Sequence, residues 1–223
     1  MGWDGDGVEV IDQLAATVDA LAPGRRVVVA IDGPDAAGKT TLAGALARRM
    51  TRPLLSVSID SWHNPRAIRL RRGDESPEGY YEDSFDHGAL IGELLVPFRA
   101  GAETVSTSWF DHRSDQPLRA EATGIPRTAA LVVDGVFLLR PELRDYWDLT
   151  VYLNVPEAVS VARALTRDGD LLGGEEGVRR RYKRRYLPGQ ALYRAAASPF
   201  GRADIVIDNS DPEHPVVVRW CDG

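Results

Sequence analysis

The 223 residues are 43% hydrophobic and 27% charged, a composition that excludes a disordered chain and fits one domain of ordinary to large size. A net charge of −6 argues against general nucleic-acid binding, and apolar runs such as 27–31 fall far short of the ~20 residues of a membrane helix. No secretory signal opens the chain, and the single cysteine, Cys221, fits a reducing cytoplasm.

Val10, Ile11, Leu14, Val18 and Leu21 recur at helical spacing until Pro23-Gly24 ends the pattern. The apolar run 27–31 predicts a strand buried on both faces. Residues 33–39 read as a loop, 40–50 as a helix, and 54–59 as a second strand ending at Asp60. Residues 61–85, with Pro65, Gly73, Pro77 and Gly79 among many charges, predict a long functional loop. Asp86 then caps a helix through Val96, stopped by Pro97. Residues 104–110 alternate as a strand, and 118–127 read as surface loop. Two buried strands follow at 131–133, ending at Asp134, and at 149–153. Pro156 opens a helix to about Thr166. Gly169, Gly173, Gly174 and Gly177 break the next stretch, before an Arg-rich helix from about Val178 to Ala197. Residues 204–207 give a last buried strand, and 216–220 add an edge.

Short apolar strands alternating with helices predict an α/β fold with a five-stranded, mainly parallel sheet covered on both faces. The expected organisation is a single domain over 1–223, with an insert at about 61–86 and a lid at about 168–178.

The sharpest motif is Gly33-Pro34-Asp35-Ala36-Ala37-Gly38-Lys39-Thr40, a phosphate-binding P-loop (Walker A) between a buried strand and a helix. Its glycines let successive N–H groups face one concavity, and the following helix adds positive potential there. Gly33, Asp35, Ala36, Ala37, Gly38, Lys39, Thr40 and Thr41 are the candidate nucleotide contacts. Lys39 is placed to reach the β- and γ-phosphates of ATP or GTP, and Thr40 to ligate Mg²⁺. Asp60, at a strand end, is either a base for an attacking hydroxyl and a magnesium ligand, or a residue that turns the chain. Asp134 is read as a second acidic group near Mg²⁺, against the same alternative of a strand-ending turn. Arg163 and Arg167 share a helix face that leads into the glycine-broken stretch, so one or two of the arginines are candidate phosphate clamps and the others a solvated face. Trp62, Tyr80, Tyr81, Phe85, Trp109 and Phe110, with Asp86, His87, Asp111, His112 and Arg113, are the material for a pocket holding a flat polar ligand. Each histidine alone is also read as structural or exposed.

Over residues 25–209 the chain resembles the uridine–cytidine kinase group of P-loop nucleoside kinases. The carriers are Ile31-Asp32-Gly33 with the P-loop, Ser58-Ile59-Asp60-Ser61-Trp62, Ser84-Phe85-Asp86-His87, Val133-Asp134-Gly135-Val136-Phe137, Arg163 with Arg167-Asp168, and Ala203-Asp204-Ile205-Val206-Ile207. The resemblance implies transfer of the γ-phosphoryl of ATP or GTP to the 5′-hydroxyl of uridine or cytidine. It implies Asp60 as base, Asp86 on the sugar hydroxyls, Phe85 or a nearby tyrosine on the base, and Arg163 and Arg167 in the lid region. Trp62-His63 stands where the family has Phe-Tyr, and Asp134 where it has Glu. The alternatives are a kinase for another small hydroxyl compound, of pantothenate or sugar-phosphate type, and a non-catalytic nucleotide switch. No Asn-Lys-x-Asp guanine reader of the switch GTPases occurs. The expected partners are a small hydroxyl acceptor and, as a possibility, further copies of the chain; neither nucleic acid nor a membrane is expected.

Overall fold

The computed structural model describes residues 6–168 and 173–221. α1 (Asp6–Ala20) buries Ile11, Leu14 and Val18, the stripe its spacing predicts. After β1 (Val27–Asp32), α2 (Lys39–Ala47) and β2 (Leu54–Ser58), a 3-10 turn (Ile59–Ser61) leads into segment 61–86. That segment is not the structureless loop expected. It holds α3 (Arg66–Arg69) and α4 (Pro77–Asp83), and Ser76 caps α4 by accepting from Gly79 N at 2.9 Å. Pro77 sits in the first turn, where its missing N–H costs nothing, so residues that read as breakers are start signals.

Asp86 caps the next helix as expected, accepting from Ala89 N at 2.9 Å. Pro97 does not stop it, since α5 (His87–Ala89) continues through a π-turn (Leu90–Leu95) into α6 (Val96–Arg99). A proline has no N–H to give its preceding turn, and a wider turn ahead of it absorbs the change of register. β3 (Thr104–Asp111) and β4 (Gln116–Thr123) form an antiparallel hairpin, so 118–127 is largely strand rather than loop. β4 is exposed nearly throughout and so lacks the apolar alternation that marks a strand.

β5 (Ala130–Gly135), β6 (Leu149–Asn154) and α7 (Glu157–Asp168) follow. Residues 169–172 of the expected lid lie outside the described residues. The Arg-rich helix begins earlier than its glycines suggested, as α8 (Gly174–Arg181), which contains Gly177. It runs through a second π-turn (Tyr182–Tyr186) into α9 (Leu187–Ala197), with Pro188 directly after the turn. α10 (Pro199–Arg202), β7 (Ile205–Asp208) and β8 (Val216–Trp220) complete the chain.

The main sheet has six strands in the order β2-β5-β1-β6-β7-β8. The five expected strands are parallel, and β8 adds an antiparallel edge beside β7. Alternation along β1 divides the core. Val27, Val29 and Ile31 pack against α1 and α2 with Leu42 and Leu46. Val28 and Ala30 face the other layer, with Trp62, Phe85, Leu94, Phe98 and Phe137. Asp32 continues the second set and is fully buried. Parallel register puts the strand ends on one edge, with Ser58 and Ile31 both opposite Asp134, and Asp32 opposite Gly135 and Tyr152. Ligands of open α/β sheets bind at that edge.

Candidate active site

The turn from β1 into α2 is tight at both ends. Gly33 has φ +152°, and a Cβ there would lie 2.5 Å from the Leu153 carbonyl oxygen. Gly38 caps α2 in the left-handed region at φ +96°, with Asn209 Nδ2 2.7 Å from where a Cβ would stand. Asn209 donates to the Ala37 carbonyl at 2.7 Å, and its Oδ1 is a buried acceptor with no partner among the described residues. Ala36 also takes positive φ, at +56°. Lys39 Nζ folds back on the loop carbonyls of Gly33 (2.9 Å) and Pro34 (2.7 Å). Burial holds this ammonium below its ordinary pKa, against the pull of Asp35, Asp32, Asp60 and Asp134.

Those four carboxylates surround the lysine from three strand ends and the loop. Asp134 accepts from Thr40 Oγ1 at 2.7 Å, and burial raises its pKa. Asp60 is exposed within the 3-10 turn after β2, with its N–H on Ser58 Oγ at 3.3 Å. Thr41, next along α2, is exposed. Asp32 was not among the candidates. Its carboxylate accepts from Gly33 N (2.6 Å), Leu139 N (3.1 Å) and the Tyr193 hydroxyl, and burial raises it to about 6. Among the described residues no three His, Cys, Asp or Glu side chains gather to hold a metal by themselves. Mg²⁺ suits this arrangement, since it is commonly bound by one or two hard oxygen ligands together with substrate phosphates. Thr40, Asp134 and Asp60 are the oxygen donors present.

The two α7 arginines diverge. Arg163 reaches the carbonyls of Asn209 (2.7 Å), Ser210 (3.1 Å) and Ala36 (3.4 Å), stitching the phosphate loop to the end of β7. Arg167 forms a two-pronged pair with its neighbour Asp168, at 2.7 and 2.8 Å, which raises its pKa.

The acceptor candidates fall into two groups. Trp62, Tyr81 and Phe85 are buried in the core rather than lining an open wall. Trp62 stacks on Trp109 with centroids 6.2 Å apart, and its Nε1 has no partner among the described residues. Tyr81 lies under the Arg140 guanidinium at 4.6 Å and forms an edge contact with Phe137. Polar candidates gather closer to Asp60. His63 Nδ1 meets the Asp60 carbonyl oxygen at 2.9 Å, and its ring lies 4.4 Å from His112 and 4.5 Å from Phe85. Burial pushes His63 to about 4, and burial with nearby Arg140 pushes His87 to about 4, so both rings are neutral at pH 7. Asp86 is half-buried, with one oxygen engaged in its cap. Arg113 is exposed, and its main-chain N–H bonds Asp111. The sequence does not single out His63 or Gln190 as site residues, whereas Tyr80, one of the expected pocket aromatics, joins Gln190 on the Asp35 carboxylate.

The geometry thus joins a phosphate cradle, a magnesium-suited oxygen set and an acidic strand end beside the lysine. The curated uridine kinase of Shewanella frigidimarina is 27% identical over 170 residues, 73% of this chain and 78% of that one. Among solved structures, a possible uridine kinase from Bacillus stearothermophilus superposes with a TM-score of 0.71 at 26% identity, covering 89% of this chain and 97% of the other. The chain is similar to uridine kinases and to P-loop kinases built like them. A candidate fructose transport system kinase from Silicibacter sp. TM1040 also superposes with a TM-score of 0.71, at 25% identity over 88% of this chain and 98% of its own. No family model matches. At this level the similarities support a phosphotransferase acting on a small molecule with a nucleotide donor. Among the described residues no helix is long and apolar enough to cross a membrane.

Proposed function

We propose that this chain transfers the γ-phosphoryl group of ATP (or GTP) to the 5′-hydroxyl of a nucleoside, uridine or cytidine foremost. The observation that carries the reading is the position of Asp60. It lies in the 3-10 turn directly after β2, the strand beside β5, and acts electrostatically on Lys39, while the Thr40–Asp134 pair sits on the same edge.

In this mechanism the loop N–H groups and Lys39 hold the β- and γ-phosphates, and Lys39 exchanges its loop carbonyls for phosphate oxygens. Thr40, Asp134 and Asp60 would hold Mg²⁺, which supplies charge neutralisation on the phosphates. The acceptor oxygen bonds to the γ-phosphorus as the bond to the β–γ bridging oxygen breaks. ADP leaves, and the hydroxyl proton passes to Asp60. Transfer of this kind is largely dissociative, so alignment by Asp60 contributes beside its basicity. Arg167 is the arginine available at the lid side, provided it releases Asp168. Arg163 shapes the loop by its carbonyl contacts rather than touching acceptor.

On the acceptor side, Asp86 takes the sugar hydroxyls, His63 and His112 face the base, and the buried Phe85 backs His63. Trp62, Tyr81 and His87 support that wall, and Arg113 stands at its rim. A sugar-type acceptor is the second reading, favoured by the equal structural likeness to the candidate fructose transport system kinase. A coupled assay of ADP release with a panel of nucleosides and sugars separates the readings. Nucleoside-dependent release with a 5′-monophosphate product supports the first, and sugar-dependent release supports the second. Slow release that no acceptor accelerates means a nucleotide switch.

A further inference from the structure

Asp35 is an odd residue for a phosphate cradle. A carboxylate there opposes the bound polyphosphate, and the loop does not need it to curl, since Gly33, Ala36 and Gly38 carry the positive φ angles. Its contacts point outward. Asp35 Oδ2 accepts from the Tyr80 hydroxyl at 2.7 Å and from Gln190 Nε2 at 2.6 Å, and its carbonyl accepts from Ser160 Oγ at 2.6 Å. One loop residue is thereby held by α4, α9 and α7.

The two helices on its carboxylate are themselves locked together. A Cβ on Gly189 would fall 2.7 Å from Tyr80 Cδ1 and 3.0 Å from the Pro77 carbonyl oxygen, so α9 meets α4 at a distance only glycine permits. The Tyr80 ring is wedged 4.9 Å from both Phe137 and Tyr186, with the Arg185 guanidinium 5.5 Å from its centroid. Tyr80 therefore has little freedom to move independently of the loop. α4 runs on directly to Phe85 and Asp86, and Arg140 holds it through the Tyr81 carbonyl at 3.0 Å.

We propose that Asp35 is a positioning residue that couples nucleotide occupancy of the phosphate loop to the setting of the acceptor segment, through Tyr80 of α4 and Gln190 of α9. Phosphate charge in the loop repels the carboxylate outward, which presses it onto its two donors and steadies α4. The inference rests on nucleotide binding at the loop but not on which acceptor the enzyme uses.

The test is amide hydrogen exchange of the full chain, with and without the magnesium complex of an ATP analogue bridged by nitrogen between the β- and γ-phosphates. Parent, Tyr80→Phe and Asp35→Asn proteins are compared, with calorimetry fixing nucleotide occupancy. In the parent, exchange across 79–83 slows by about fivefold or more on nucleotide binding, within the range of ordinary coupling energies. In Tyr80→Phe, which keeps the ring and loses only the hydroxyl, the slowing falls below about twofold at equal occupancy. Asp35→Asn, which removes the charge, behaves likewise. Unchanged slowing in both variants overturns the proposal, as does a saturated parent whose 79–83 exchange ignores the nucleotide. A variant that exchanges faster by the same factor with and without nucleotide shows a merely structural bond and also overturns it. A parent that binds no nucleotide contradicts the proposed function itself, and calorimetry identifies that case.

Discussion

The phosphate loop and the proposed acceptor end of this molecule are built by different means. At the phosphate end one unbroken stretch, 33–40, makes the cradle, and partners arrive from adjacent strand ends whose register the parallel sheet fixes. At the acceptor end the polar groups come from a 3-10 turn, two short helices and the hairpin, brought together by side-chain packing. A site made by backbone tolerates changes in its surroundings. A site made by packing changes its ligand when a few side chains change, and here Trp62 stacks on Trp109 while His63 lies against His112.

The largest expected effect lies at the phosphate end. Lys39→Ala removes the ammonium that faces the phosphates, and turnover should fall on the order of 10²–10³-fold or more, with weakened nucleotide binding by calorimetry. Near-normal turnover would break the distinction between the two ends.

At the acceptor end, Asp86→Ala should raise acceptor KM ~10–100-fold and leave nucleotide Kd unchanged, the loss expected for hydrogen bonds to a charged group. It also removes the cap on α5, about 1 kcal/mol of stability. Asp86→Asn restores the cap, so a KM that recovers with it would assign Asp86 to folding alone.

The smallest effect separates the ends by the sign of their pH dependence. His63 and His87 are held at about 4 in the folded chain, below the ordinary 6.5. The unfolded chain therefore binds more protons between those values, and stability from these residues is lost as pH falls from 6.5 through 4. Asp32, raised to about 6 from 3.8, acts oppositely, and its contribution is lost as pH rises through 6. Melting curves from pH 4 to 7 should show His87→Gln with a slope shallower by ~1 kcal/mol over the window, and Asp32→Asn with a steeper one. Parallel curves for all three proteins would remove the contrast.

Most of the framework was legible in the sequence, because buried parallel strands are continuous apolar runs and the P-loop is a local pattern. The hairpin strand β4 was not, since its side chains face solvent and its partner supplies the pairing. Pro97 misled for a related reason, as the π-turn before it is visible only in three dimensions. Asp60 and Asp134 could be placed from strand ends alone. Asp32 and Gln190 could not be singled out, because their importance depends on contacts with Tyr193 and Asp35 far along the chain.

The central claim is that Asp60 serves the acceptor hydroxyl while the cradle binds nucleotide without it. Asp60→Asn keeps the shape and loses the base, so single-turnover phosphoryl transfer beside calorimetry of nucleotide binding tests the claim directly. The account predicts transfer slowed by ~10²-fold or more, with nucleotide Kd changed by less than about tenfold. A fully active Asn variant, or an inactive one that no longer binds nucleotide, would contradict it.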